Sequence, residues 1–107
     1  MPQSKANLIK PRYGQNSIAE IAPSVLSLFG VSTKRKIFPF LKKEKNKYQK
    51  VILFIVDGFG YDHFKKYQKN LPLIKKLKKN GQIRQITSVF PTTTASALTT
   101  IYTGLTP

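Results

Sequence analysis

Apolar residues are scattered thinly through a lysine-punctuated chain, except in one place. Val51-Ile52-Leu53-Phe54-Ile55-Val56 is an unbroken apolar run, closed by Asp57 and Gly58. A short run without polar alternation predicts a strand buried on both faces. Beyond it the period changes. Phe64, Tyr67, Leu71, Ile74 and Leu77 recur at three- and four-residue steps across residues 59–79, with lysines between them. That spacing predicts an amphipathic helix with a solvated cationic face. Pro72 should kink or restart it, and Asn80-Gly81 should stop it. Residues 83–89, Ile-Arg-Gln-Ile-Thr-Ser-Val, predict a second strand, less apolar than the first. A tight turn, Pro91-Thr92-Thr93-Thr94, leads into a small-residue helix from about Ala95 to Tyr102, closed by Thr103-Gly104. The order strand, helix, strand predicts a right-handed parallel crossover.

Upstream the pattern is weaker. Residues 1–15 are polar and carry the breakers Pro2, Pro11 and Gly14. Ile18, Ile21, Val25, Leu28 and Phe29 recur at helical spacing, interrupted by Pro23 and ended by Gly30. Ser17, with Glu20 three residues on, is a capping-box pattern. Residues 32–50 read as a basic connector with one apolar knot, Ile37 to Leu41, that should pack on something. There are no internal repeats. The expected division is a leader with a short helix and connector over 1–47, then a strand–helix–strand–helix unit over 48–107.

Composition narrows the classes. A chain of 107 residues makes at most one small domain. It has no cysteine, which excludes disulfides, thiolate zinc sites and cysteine nucleophiles. No apolar run approaches the about 18 residues that span a membrane, and the first ten residues lack a signal-peptide core. A cytoplasmic location is the default expectation. The net charge of +15 raises the possibility of nucleic-acid binding. However, sixteen of the nineteen cations are lysine, and base-specific readers lean on arginine forks.

The chemistry is expected at the sheet edge. A parallel crossover puts the ends of both strands on one edge, where open α/β sheets bind ligands. Asp57, one of only four acids, ends the first strand, and the Pro91–Thr94 turn follows the second. Thr94 sits at or beside a helix N-terminus, where unpaired N–H groups and the helix dipole favour an anion. A carboxylate, a hydroxyl and an anion-binding helix end suggest metal-assisted phosphoryl transfer. The plainer reading is a capping threonine and a turn aspartate. His63, alone and beside the apolar stripe, lacks a matched partner as a ligand. Asp62 suits a helix's first turn, and Gly58 and Gly60 suit a tight turn.

V-I-L-F-I-V-D-G-F-G-Y-D, followed some thirty residues later by T-S-V-F-P-T-T-T-A-S-A-L-T-T-I-Y-T-G-L-T-P, resembles the start of the alkaline phosphatase superfamily. The branch it resembles most is the type I phosphodiesterase/nucleotide pyrophosphatase group. The resemblance covers about residues 48–107, and the leader around Pro11, Tyr13 and Ser17 to Leu26 resembles that of prokaryotic members more faintly. It implies that Asp57 binds one of two divalent metal ions, zinc in the family. It also implies that Thr94, nine residues before Thr103, is the nucleophile and a second metal contact. Thr92 and Thr93 are rivals by position, and only the family register picks Thr94. A phosphate-ester or nucleotide substrate is implied. Family pyrophosphatases usually carry F-P-N after the nucleophile. Here Ala95-Ser96-Ala97 follows, which leaves phosphomonoester, phosphodiester and phosphonate substrates open. The sulfatase signature is absent.

The further metal ligands of the family come from downstream segments. Glu20, Glu44, Asp62 and His63 match none of those positions. The expectation is therefore an N-terminal fragment, or a truncated gene product, inactive alone. The expected fold is α/β: the N-terminal part of a mixed, mainly parallel sheet flanked by helices, alkaline phosphatase-like and incomplete in this chain. The rival readings are a small basic nucleic-acid-binding protein and a non-catalytic remnant.

Overall fold

A computed structural model describes residues 8–107. Pro2 as a breaker and the missing signal-peptide core concern residues 1–7 and fall outside the described part. The described residues form two compact units. One runs through Val51 and resumes over Ile86–Pro107; the other is Ile52–Gln85. Among the described residues there are four α-helices: α1 (Ile21–Leu28), α2 (Tyr61–Tyr67), α3 (Pro72–Asn80) and α4 (Thr94–Thr103). Single 3-10 segments span Ile18–Glu20, Pro39–Glu44 and Gln68–Asn70.

The expected parallel sheet is not there. Among the described residues no strand forms, and the fold is helix-dominated. The one β-type pairing is an isolated parallel bridge between Ser17 and Thr87. Two physical reasons account for the correction. A strand apolar on both faces needs neighbours along its edges and cover on both sides. Residues 52–56 have no such cover, with Ile52, Phe54 and Val56 at 78%, 83% and 70% exposure. The second predicted strand spends its hydrogen bonds on the leader instead: Thr87 N–H donates to the Asn16 carbonyl at 2.8 Å, and Ile18 N–H to the Thr87 carbonyl at 2.9 Å.

The first unit is built around the predicted capping box. Ser17 is the N-cap of the 3-10 turn, its hydroxyl accepting from Ala19 N–H at 3.1 Å. Glu20 reaches back to accept from Ser17 N–H and the Ser17 hydroxyl, both at 2.7 Å. Its other oxygen accepts from Gly14 N–H, also at 2.7 Å. Three donors thus hold a carboxylate that is almost wholly buried. Pro23 lies in the first turn of α1, where a missing N–H costs little. The helix ends in a Schellman motif: Val31 N–H donates to Leu26 O and Gly30 N–H to Ser27 O, both at 3.0 Å.

The buried face of α1 is not the apolar stripe that its spacing marks out. Pro23, Ser24 and Ser27 are buried, whereas Phe29 is exposed. This face of small residues lets α1 lie close to α4, which contributes buried Thr100 and Ile101. Ala19, Phe38 and Val89 complete the core. The Ile37–Leu41 knot packs as expected. Phe38 is buried, its N–H donates to Ser24 Oγ at 2.9 Å, and its ring stacks on Phe40 at 5.2 Å. No buried side-chain polar atom among the described residues lacks a partner, as a small polar-lined core requires.

In the second unit α2 and α3 are separate helices, with Pro72 restarting the second at its first turn. Asn80 ends α3, and Gly81 N–H donates back to Leu77 O at 2.9 Å. Gly81 is extended rather than left-handed, so the stop is not a Schellman turn. The lysines at 65, 66, 69, 75, 76, 78 and 79 are all exposed, as the periodicity predicts.

Candidate functional site

The segment that carries Thr94 is held from both ends. Thr93 is the N-cap of α4 and leaves Thr94 as the first helical residue. The Thr93 hydroxyl accepts from Ser96 N–H at 3.3 Å, and its carbonyl accepts from Ala97 N–H at 2.9 Å. The Thr92 hydroxyl donates to the Val89 carbonyl at 2.8 Å. Thr93 thus serves the cap and Thr92 the turn. Capping, the plainer role considered for Thr94, falls to Thr93. Thr94 itself is exposed at the positive end of a ten-residue helix. Further along α4, Thr99 and Thr103 hydroxyls donate to the carbonyls of Ala95 and Thr99 at 2.8 and 2.6 Å. Such back-bonding satisfies polar side chains on an exposed helix face.

Asp57 lies in the other unit, so each residue is described in its own setting. It is exposed in the turn after Val56, and its Oδ1 accepts from Gly58 N–H at 2.9 Å. Gly58 has φ +71, the left-handed conformation that glycine adopts without penalty. The chain then enters α2, whose cap involves His63. Gly60 N–H donates to His63 Nδ1 at 3.3 Å, and the ring stacks on Phe59 at 6.1 Å. Asp62 stands in the first turn of α2, where its charge complements the dipole.

A catalytic zinc takes three protein donors as a rule. Among the described residues no group of three or more His, Cys, Asp or Glu side chains comes together to hold a metal ion. Among these residues, neither Asp57 nor Thr94 has the further donors in its own unit that such a centre needs. Also among the described residues, no helix is long and apolar enough to cross a membrane.

Sequence reasoning missed the groups around the threonine turn. The Tyr13 hydroxyl accepts from Phe90 N–H at 3.2 Å, immediately before Pro91. Arg12 N–H donates to Thr87 Oγ1 at 2.8 Å, and that hydroxyl donates to the Asn16 carbonyl at 3.1 Å. At the far end of α4, Arg35 Nη1 donates to the Thr103 carbonyl at 2.7 Å, a cation on a helix C-terminus. One signal was available: Thr87, a hydroxyl in the middle of a run read as a strand.

A family model for type I phosphodiesterase / nucleotide pyrophosphatase matches residues 51–107, more than half of the chain. The chain belongs to that family. No curated protein and no solved structure matches it.

Proposed function

We propose that this chain carries the nucleophile of a phosphoester hydrolase and that Thr94 is that nucleophile. Membership of the phosphodiesterase/pyrophosphatase family supplies the class of substrate, a phosphate ester or nucleotide. The observation that supports Thr94 is its exposed place as the first residue of α4, at the positive end of that helix. In the proposed reaction the Thr94 oxygen attacks phosphorus and the alcohol or phosphate leaving group departs. Water then cleaves the covalent phospho- or nucleotidyl-threonine. The first-turn N–H groups and the dipole of α4 favour the charge that gathers on the phosphate oxygens. Asp57 is the proposed metal-ligand position.

The test is Thr94→Ala in the complete protein that carries this sequence. Hydrolysis of a nitrophenyl phosphodiester should fall by about a thousandfold or more, as for loss of other covalent nucleophiles. Thr92→Ala and Thr93→Ser should retain most of the rate. A rate near wild type for Thr94→Ala would remove the assignment. Asp57→Asn, assayed by equilibrium dialysis against zinc, should lower metal content; unchanged occupancy would sink the ligand role.

A further inference from the structure

We infer that the leader is a clamp on the threonine turn, and that Tyr13 is the positioning residue within it. This inference rests on the reading of Thr94 as nucleophile, because it concerns how that residue is held. Thr94 lies four residues beyond Phe90, and the segment that precedes it, residues 82–93, has neither helix nor strand and only the isolated bridge at Thr87. Buried Val89 packs it into the core, and the rest of it is held by the groups that bond to it. From the leader side these are all contributed by residues 12–18. Arg12 N–H and the Asn16 carbonyl take the two hydrogen-bonding roles of the Thr87 hydroxyl. Asn16 O and Ile18 N–H take Thr87's own backbone groups at 2.8 and 2.9 Å. Tyr13 then reaches furthest toward the turn, accepting Phe90 N–H through its hydroxyl at 3.2 Å.

The leader that does this is itself rigidly set. Buried Glu20 ties Gly14 N–H to Ser17 N–H, so the residues flanking Tyr13 and Asn16 are fixed by one carboxylate. The 3-10 turn that holds Glu20 packs on α4, the helix that Thr94 begins. The far end of α4 is secured separately by Arg35 on the Thr103 carbonyl. The nucleophile's helix is thus anchored at its C-terminus and along its flank, and its approach is set by the leader. An attacking oxygen must be placed within a fraction of an ångström, and misplacement alone costs rate. Tyr13 touches neither substrate nor the reacting atoms, so its effect is on placement.

The experiment is Tyr13→Phe in the complete protein that carries this sequence, which removes the acceptor and keeps the ring. Two readouts are taken together. In amide hydrogen exchange, Phe90 N–H should exchange at least about tenfold faster, the loss of one hydrogen bond of ordinary strength. Gly104 N–H, bonded to Thr100 O at 2.7 Å at the other end of α4, should keep its protection. In nitrophenyl phosphodiester hydrolysis, kcat should fall about tenfold with KM unchanged, the pattern of a lost transition-state placement. Unchanged exchange at Phe90 would overturn the clamp. Equal acceleration at Gly104 would make Tyr13 a general stabiliser and overturn its positioning role, as would faster exchange with an unchanged kcat. Thr94→Ala separates the two readings: full activity in that variant removes the nucleophile while the exchange result still judges the clamp.

Discussion

At the scale of single residues, the acids of this chain are few and locally engaged. Glu20 is buried and takes three donors, Asp57 closes a turn on Gly58, and Asp62 sits on a helix dipole. Glu44 pairs with Lys47 at 3.7 Å, an exposed contact worth little to stability. Its stronger effect is on Tyr48, whose hydroxyl donates to Glu44 Oε2 at 2.9 Å. That hydrogen bond, with the carboxylate's charge, holds the phenol proton and raises Tyr48 above its ordinary value of 10.0. The sign follows from linkage. A group whose folded value is raised contributes below the unfolded value and loses that contribution as pH rises through the folded one. The contact therefore favours the fold at neutral pH and fades above about pH 10. Glu44→Gln should bring the Tyr48 ionisation down toward 10.0, read as the tyrosinate absorbance lost between each protein and its Tyr48→Phe counterpart. An ionisation that stays raised without the carboxylate would refute the cause.

At the scale of elements, α4 depends on what stops it. Gly104 caps the helix in the left-handed conformation at φ +69, its N–H on Thr100 O. A side chain there would meet Arg35 Nη1 at 2.7 Å, Pro23 Cδ at 3.2 Å and the Ala19 carbonyl at 3.4 Å. Gly104→Ala should therefore combine left-handed strain with displacement of the Arg35 cap. The expected loss is about 2 kcal/mol, seen as a lower denaturant midpoint with an unchanged slope. A midpoint shift under about 0.5 kcal/mol would show that the cap and its contacts are slack. The elements that could be read ahead of the structure were those set by local chemistry. The Ser17/Glu20 box, the restart at Pro72, the stop at Asn80 and the helix after the threonine turn all depend on residues within a turn of each other. The sheet did not follow, because a strand is defined by partners distant in sequence, and an apolar run reports only that it wants them. The inward face of α1 was misjudged for a related reason: small residues face α4, and which face a helix buries is decided by its neighbour. At the site, the helix start at the threonine turn was legible from the local pattern, whereas Tyr13 and Thr87 act through contacts more than seventy residues apart.

At the scale of the whole molecule, two properties oppose each other. The charge of +15 keeps copies apart. Against it stands the apolar 52–56 segment, which forms neither helix nor strand. Ile52, Phe54 and Val56 lie largely in water, and Leu53 and Ile55 are half covered at 49% and 40% exposure. An exposed apolar segment of high β-propensity, unpaired in its own chain, is a template for pairing with another copy. Repulsion between lysine-rich surfaces is screened by salt, whose Debye length falls from about 30 Å at 0.01 M to about 10 Å at 0.1 M. Apolar attraction is not screened in this way. Sedimentation velocity of this 107-residue chain should therefore show self-association that grows with sodium chloride over that range. Phe54→Lys, which puts a charge on the most exposed position of the segment, should suppress it at every salt concentration. The same titration with single-stranded DNA bears on the nucleic-acid reading, since binding by phosphate contacts weakens as salt rises. Association that weakens with salt, or that survives Phe54→Lys, would locate the sticky surface elsewhere and leave the 52–56 segment without that role.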